Sequence, residues 1–393
     1  MDLEKITRMI SSINDIQVKS DVCSRCRSPH SGCSRCRDVC PTKGISLMND
    51  QVAVNRCIQC GLCAAVCPNG VFVLPHSSAG RMQVAARHMA NDVTEMVMYC
   101  RYRASEAKRC WQGLEVPCLG SISPEVMVAI MAEGMESINF FYRPQACADC
   151  SVTGGEDVFL DNLARGRIWL RTVGIEEDRL KLLNDAGQAP KSGVSGRPSN
   201  KDHLVNESRR EFFTSIFKGL RQVPATMVDE VLGPAHQPSG EKPVFQVGEV
   251  PEKRRVLLGA LNKMEAEVLA QKPTPLLQVS VQDKCYFCGA CARLCPTGAL
   301  EMDSKEEGTA ELCIHDAWCT GCGLCADVCF ERALVLEKGL PLAYLLSLER
   351  RLLDSGLAKT CPECGDLFTG NAHAGMCMRC TMLGGRVEMM REN

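Results

Sequence analysis

Cysteine carries most of the chemistry this chain could do, and its spacing says which. Near the start stand Cys33-x2-Cys36-x3-Cys40-Pro41 and Cys57-x2-Cys60-x2-Cys63-x3-Cys67-Pro68. Near the end stand Cys285-x2-Cys288-x2-Cys291-x3-Cys295-Pro296 and Cys319-x2-Cys322-x2-Cys325-x3-Cys329. Two-residue gaps let a tight loop aim three thiolates at three corners of one 4Fe–4S cube, while the three-residue gap carries the fourth to a neighbouring cube. Crossed ligation of this kind puts Cys57, Cys60, Cys63 and Cys40 on one cube. It puts Cys285, Cys288, Cys291 and Cys329 on a second, and Cys319, Cys322, Cys325 and Cys295 on a third. Zinc knuckles do not explain a crossed fourth cysteine followed by proline. Gly61, Gly289, Gly321 and Gly323 suit backbone that passes close to inorganic sulfide. Pro41, Pro68 and Pro296 turn the chain after fourth cysteines, and Phe330 stands in that place after Cys329.

The remaining set is irregular. His30 occupies the place of its first cysteine, in His30-x2-Cys33-x2-Cys36, and an additional pair, Cys23-x2-Cys26, lies upstream. Cys26, Cys23 or His30 could complete it; the favoured set is Cys26, Cys33, Cys36 and Cys67, with Cys23 spare. A histidine ligand would raise the potential, as in Rieske centres, but the Ser, Pro and Gly around His30 mark a solvated turn. Arg25, Arg27, Arg35 and Arg37 interleave here, placed to offset a cluster's negative charge or to dock an acidic partner. Cys313, between Leu312 and Ile314, reads as a small buried strand residue. Two further knuckles, Cys361-Pro-Glu-Cys364-Gly and Cys377-Met-Arg-Cys380, have zinc-ribbon spacing. Four thiolates there give a closed tetrahedral site for one Zn, with rubredoxin-like iron as the alternative. His373 reads as a loop residue.

The totals agree with metal-bound thiols. The 393 residues hold 27 cysteines and no secretory leader pattern, which argues against a disulfide scaffold and for a cytoplasmic protein with reduced thiols. A net charge of −2 argues against a dedicated nucleic-acid binder. No stretch approaches the roughly 18 apolar residues of a membrane span, and neither a dinucleotide-binding glycine fingerprint nor a P-loop is present.

Elements must hold these thiols in place. Ile45–Met48 and Gln51–Val54 alternate as a hairpin, as do 299–302 and 309–314, and a strand follows each final cysteine at 71–74 and 333–336. Both ends thus show a strand–loop–hairpin–loop–strand order, an internal repeat. Between them, strands at 96–99, 114–117 and 138–142 alternate with a helix that Ser123 caps and Pro124 opens. Cys100, Cys118 and the pair Cys147-x2-Cys150 sit at successive strand ends, which converge on one edge of a parallel sheet. Gly-, Pro- and Ser-rich linkers are expected at 187–200 and 233–253, and helices at 202–232, 253–271 and 340–357. The expected fold class is α+β. Its parts are an N-terminal helix (1–21), a dicluster domain (22–78), a small α/β cysteine domain (79–180), linkers and helices (181–278), a second dicluster domain (279–338), and a helix with a zinc-ribbon-like module (339–393).

The terminal blocks resemble bacterial dicluster ferredoxins. The middle is similar to the delta subunit of methyl-viologen-reducing hydrogenase, on Cys118-Leu-Gly-Ser, a helix ending Ala-Glu-Gly-Met, an apolar strand, and paired cysteines before Gly-Gly-Glu. Two departures stand out: the family's early cysteine pair is here Cys100 and Arg103, and the later pair is one residue closer. The resemblance implies a 2Fe–2S cluster on Cys100, Cys118, Cys147 and Cys150, with Cys110 as substitute. It implies a relay between a hydrogenase or formate dehydrogenase and a heterodisulfide reductase. Together these readings predict four 4Fe–4S clusters, one 2Fe–2S cluster and one zinc in an electron-transfer subunit. Its partners would be a catalytic oxidoreductase subunit and a redox carrier. The alternative is an iron–sulfur redox sensor or assembly factor. A third possibility, reduction of a disulfide at Cys147-x2-Cys150, finds no acid–base constellation in the sequence.

Overall fold

The computed structural model describes residues 16–184 and 249–383, apart from 49, 75–77, 106, 108–112, 265–271, 305–307 and 348. The first lobe runs through strand β1 (Gln17–Val18), helices α1 (Ser24–Arg27) and α2 (Arg35–Asp38), hairpin strands β2 (Ile45–Met48) and β3 (Gln51–Val54), helix α3 (Leu62–Val66) and strand β4 (Phe72–Val73). β1 pairs antiparallel with β4, and β2 with β3. Val22, Ile45, Val52, Val71 and Phe72 form the lobe's core together with Cys23, Cys26, Cys36 and Cys67. The helix expected over 1–21 does not form where it is described: Gln17–Val18 is strand and Ser20–Val22 a single tight turn. β4 offers a strand edge that supplies hydrogen bonds directly, whereas a first helical turn costs nucleation free energy.

The middle follows with α4 (Ala79–Met89), β5 (Glu95–Cys100), β6 (Gly113–Val116), α5 (Pro124–Ala132), β7 (Ser137–Phe141), α6 (Pro144–Ala148), α7 (Gly155–Thr172) and β8 (Leu180–Leu183). The strands are all parallel, in the order β6-β5-β7-β8. The fourth strand extends past the boundary expected at residue 180. Helix α5 is apolar on every face beyond Glu125 in its first turn and is buried from Pro124 to Met131, as a helix enclosed by other elements must be. One of those is α8 (Glu252–Lys263), whose Leu257, Ala260 and Leu261 enter the same core as Met98, Ile130, Phe140 and Trp169. The helix expected from 253 is therefore present, but as part of the middle core. Its continuation past Met264, the helix expected over 202–232 and nearly all of both expected linkers lie outside the described residues.

The last lobe repeats the first, then adds to it. It holds β9 (Leu277–Val281), α9 (Ala290–Arg293), β10 (Leu300–Ser304), β11 (Ala310–Ile314), α10 (Leu324–Asp327) and β12 (Leu334–Lys338). There follow α11 (Leu342–Leu346), β13 (Arg351–Thr360) and β14 (Leu367–Gly370). β9 pairs with β12, and the hairpin continues as a sheet ordered β10-β11-β13-β14. Cys313 is buried on β11 as expected. The helix expected over 340–357 is a correction. Only its first turns form, and Arg351–Thr360 is strand instead. β11 presents an open edge, and tertiary pairing outweighs a helical spacing of leucines. Gly356 disfavours helix in any case, and a Cβ there would lie 2.3 Å from the Phe287 ring. No helix among the described residues is long and apolar enough to cross a membrane.

Candidate iron–sulfur and metal centres

The three regular loops share a backbone device that spacing alone does not reveal. The residue before the second cysteine is left-handed in each: Gln59 (φ 55°), Phe287 (φ 48°) and Gly321 (φ 64°). So is the glycine after it: Gly61 (φ 82°), Gly289 (φ 72°) and Gly323 (φ 85°). Each of these glycines immediately precedes the helix, α3, α9 or α10, that carries the third cysteine. Such turns aim successive N–H groups into one concavity. The Gln59 amide donates to Cys57 Sγ at 3.3 Å, and the Phe287 and Gly321 amides donate to Cys285 and Cys319. Left-handed Gln59 and Phe287 each cost of order 1 kcal/mol, a strain tolerated where a site requires the geometry.

Each crossed fourth cysteine reaches its set. One cavity is lined by Cys40, Cys57, Cys60 and Cys63, and another by Cys285, Cys288, Cys291 and Cys329. Cys295 is a charged neighbour of both Cys319 and Cys322, and burial first, with Cys322 and Cys295 among the neighbouring thiols, pushes the Cys319 thiol up to about 12. Burial with Cys285, Cys288 and Cys329 pushes Cys291 up to about 12. Thiols that resist ionising side by side need a cationic core to hold them together as thiolates, the form that ligates metal. The donor sets therefore fit polynuclear iron.

The irregular set forms differently from the favoured expectation. Cys23, Cys33, Cys36 and Cys67 line one cavity, and Cys26 is absent from its wall. Cys23 stands at the start of α1; Cys26, nearly one turn on, hydrogen-bonds to its thiol. That bond holds Cys23 down at about 6 and pushes Cys26 up. Cys36 is pushed up to about 12 by burial, then by Cys67, Cys23 and Cys33. His30 is exposed in a turn. Of the four arginines, Arg27 is buried and donates from Nη1 to the Cys295 carbonyl of the other lobe at 3.0 Å. Spacing could not separate Cys23 from Cys26, because the choice depends on which face of α1 meets the cavity.

The middle thiols also converge. Cys100 ends β5, Cys118 follows β6, Cys147 lies on α6 and Cys150 just after it. All four line a cavity of about 270 Å³, with Phe141, Tyr142, Glu156 and Cys60 also in its wall. Burial and neighbouring thiols push Cys118 up to about 12; burial, Glu156 and neighbouring thiols push Cys147 up to about 11. Tyr142 donates to Glu156 at the rim, a pair the sequence reading did not single out. Close packing sets the wall: a Cβ on Gly61 would sit 2.6 Å from Ser121, and one on Gly155 2.9 Å from Cys118 Sγ. Cys110 lies outside the described residues.

The C-terminal quartet is tighter. The sulfurs of Cys361, Cys364, Cys377 and Cys380 all lie within 4.8 Å of one another. The Cys377 amide donates to Cys361 Sγ and the Cys380 amide to Cys377 Sγ, each at 3.4 Å. The first of these bonds leads in holding Cys361 at about 6. Four thiolates on one ion at metal–sulfur lengths near 2.3 Å require sulfurs about 4 Å apart, so this set suits a single metal ion. His373 stays in the loop, where its amide donates to Asn371.

Two stretches of the chain, one in each lobe, match known domain families. Residues 284–333 match the family model of the 4Fe–4S dicluster domain, and residues 51–73 match that of the 4Fe–4S binding domain. The chain thus carries ferredoxin-type 4Fe–4S domains at two positions. It is also similar to the pyruvate synthase subunit PorD of Methanothermobacter marburgensis, with 32% identity over 57 residues. That stretch is 14% of this chain and 60% of PorD, so the chain spans less than two thirds of that relative. No solved structure matches.

Proposed function

We propose that this chain is a multi-cluster electron-transfer subunit of an oxidoreductase complex. The observation that carries this reading is that the crossed cysteine of each ferredoxin-type run meets the set its spacing assigns to it. When bound, 4Fe–4S clusters take up and release single electrons at potentials their surroundings set. The residues' part is to hold the thiolates, exclude water with Leu62, Leu74, Phe287 and Leu334, and direct amides at sulfur. The ligand sets on this reading are Cys40, Cys57, Cys60 and Cys63; Cys23, Cys33, Cys36 and Cys67; Cys285, Cys288, Cys291 and Cys329; and Cys295, Cys319, Cys322 and Cys325. The middle quartet holds a 2Fe–2S cluster, and the C-terminal quartet holds zinc in a ribbon.

The partner is a catalytic oxidoreductase subunit, with a redox carrier as the other correspondent. The hydrogenase-delta-like middle suggests a hydrogenase, formate dehydrogenase or heterodisulfide-reductase-like enzyme, and similarity to a protein named as a pyruvate synthase subunit supports the same broad class. A reducing, cytoplasmic setting suits such thiols. Anaerobic iron, sulfide and zinc analysis with reduced-state EPR tests the reading. About sixteen irons from the cubes, about two more from the middle site and about one zinc are expected. Roughly eight irons or fewer in anaerobically prepared protein would sink it.

A further inference from the structure

The junction between the two lobes supplies an order for the thiol sets. Ser24 follows Cys23, and Asn69 lies two residues after Cys67; both are buried, at 3% and 5% exposure. Thr320 and Cys322 belong to the facing loop of the other lobe. Thr320 Oγ1 donates to Asn69 Oδ1 at 2.7 Å, and Asn69 Nδ2 donates to Ser24 Oγ at 2.9 Å. The Ser24 and Thr320 hydroxyls both stand beside the Cys322 side chain, where each favours its thiolate. A hydroxyl has one proton. Thr320 spends its proton on Asn69 Oδ1, whereas Ser24 Oγ accepts from Asn69, which leaves the Ser24 proton free for Cys322 Sγ. Alongside, Arg27 donates to the Cys295 carbonyl, and Arg254 Nη2 donates to the Cys319 carbonyl at 2.9 Å. Cys295, Cys319 and Cys322, members of one set, are therefore all held from outside their own lobe.

Adjacency continues outwards from this junction. Within the lobes, Cys36 lies in electrostatic reach of Cys63, and Cys291 of Cys325. Cys60 lines both its own cavity and the middle one. At the other end, the Asn371 amide donates to the Cys285 carbonyl at 3.0 Å. Cys57 and Cys288, in the outer sets, are exposed, whereas Cys23, Cys36 and Cys67 are buried at the junction.

We infer that the chain holds its thiol sets in single file, with Ser24 as the positioning residue that splices the two lobes. From one end the file runs from the middle quartet to Cys40, Cys57, Cys60 and Cys63. Next comes the set of Cys23, Cys33, Cys36 and Cys67. Across the junction it continues with Cys295, Cys319, Cys322 and Cys325, and ends on Cys285, Cys288, Cys291 and Cys329. This rests on the iron–sulfur loading proposed above. A hydrogen bond to a ligating sulfur stabilises the more negative, reduced state, so Ser24 raises the potential of the set that holds Cys322.

Two measurements on the full, anaerobically loaded chain test it. In Ser24→Ala, iron content should be unchanged, and one midpoint in an EPR-monitored redox titration should move to lower potential. It should be the midpoint that disappears in Cys322→Ser. In the double variant Cys60→Ser with Cys288→Ser, both outer cubes are disrupted and one inner set remains in each lobe. Its dithionite-reduced spectrum should show spin–spin broadening between them. Four unshifted midpoints in the loaded Ser24→Ala chain, or two non-interacting spectra in the loaded double variant, overturn the single file. A wild-type chain that takes up roughly eight irons or fewer overturns the loading itself, and the file with it.

Discussion

The two lobes share one strand–loop–hairpin–loop–strand order and depart from it in opposite ways. The last lobe keeps the regular cysteine run, matches the dicluster model along 284–333, and extends its hairpin into a four-stranded sheet. The first lobe matches a model only along 51–73, and its hairpin stands alone. Its first loop is stretched, with residues 24–32 standing where the regular run has two. That stretch is also where Ser24 and Arg27 leave their own lobe to meet Cys322 and Cys295. The difference teaches that a break in a repeat need not be decay. Here one side of the junction is altered where it meets its neighbour, while the facing loops at Cys295 and Cys319 keep the regular spacing.

The sharpest way to break this comparison is at the stretched loop's own thiols. If Cys23 completes the first set, Cys23→Ser should lose about four of some sixteen cube irons, and Cys26→Ser should lose none. Iron analysis and reduced-state EPR read both. The reverse result would return the ligand role to Cys26 and make the stretch an ordinary insertion.

That pair also marks where sequence stopped being informative. Ligand spacing is chemistry written locally, so the crossed sets and the Cys361–Cys380 quartet were legible without a fold. Parallel strands ending at Cys100 and Cys118 were legible too, since their apolar runs and the Ser123–Pro124 cap are local signals. That Cys23 rather than Cys26 lines the cavity was not, because it depends on the orientation of α1 against α2 and β4. Nor was the strand at Arg351–Thr360, because its pairing with β11 comes from about forty residues away, beyond any helical window. The Ser24–Asn69–Thr320 relay joins residues about 250 positions apart and carries no local signature.

Arg27 sharpens the comparison next. It donates from Nε to the Asp21 carbonyl at 2.6 Å and from Nη1 to Cys295 at 3.0 Å. Arg27→Leu leaves both carbonyls without this donor, at a cost of about 2–3 kcal/mol, read as earlier denaturant unfolding of the loaded protein. Iron should be released first from the two junction sets. An even loss from all sets would mean that the junction is no different from the rest of the molecule.

Helix α8 provides the symmetric control, because it serves both lobes. Lys253 donates to the Ala65 carbonyl at 2.9 Å and Arg254 to Cys319. Its far end is tied down by Lys263 to Glu133 at 2.8 Å, which also accepts from Arg87 and Gln83. These bonds, Arg87 first, hold the Glu133 carboxyl down at about 2, from 4.5. A depressed carboxyl stabilises the fold fully above its unfolded pKa, so this contribution is present at pH 7 and fades as pH falls from about 4.5 through 2. With Arg87 and Lys263 half exposed and screened, it comes to about 2 kcal/mol. Glu133→Gln should lose that much at pH 7 and converge on wild type only towards pH 2, with both lobes weakened alike.

The smallest effect tests the last lobe's added sheet. Phe287 sits left-handed in the Cys285–Cys288 loop and packs its ring on Gly356 of β13. Its counterpart Gln59 adopts the same turn without an added sheet behind it, so the sheet is not needed to make the turn, only to fix the ring. Gly356→Ala should therefore cost about 1–2 kcal/mol by crowding and alter the EPR signature of the Cys288 set alone. Phe287→Leu in the same chain should recover part of that cost by making room, a coupling that a double-mutant cycle measures. If the cycle shows no coupling, β13 does not support the loop, and the two lobes differ only at their junction.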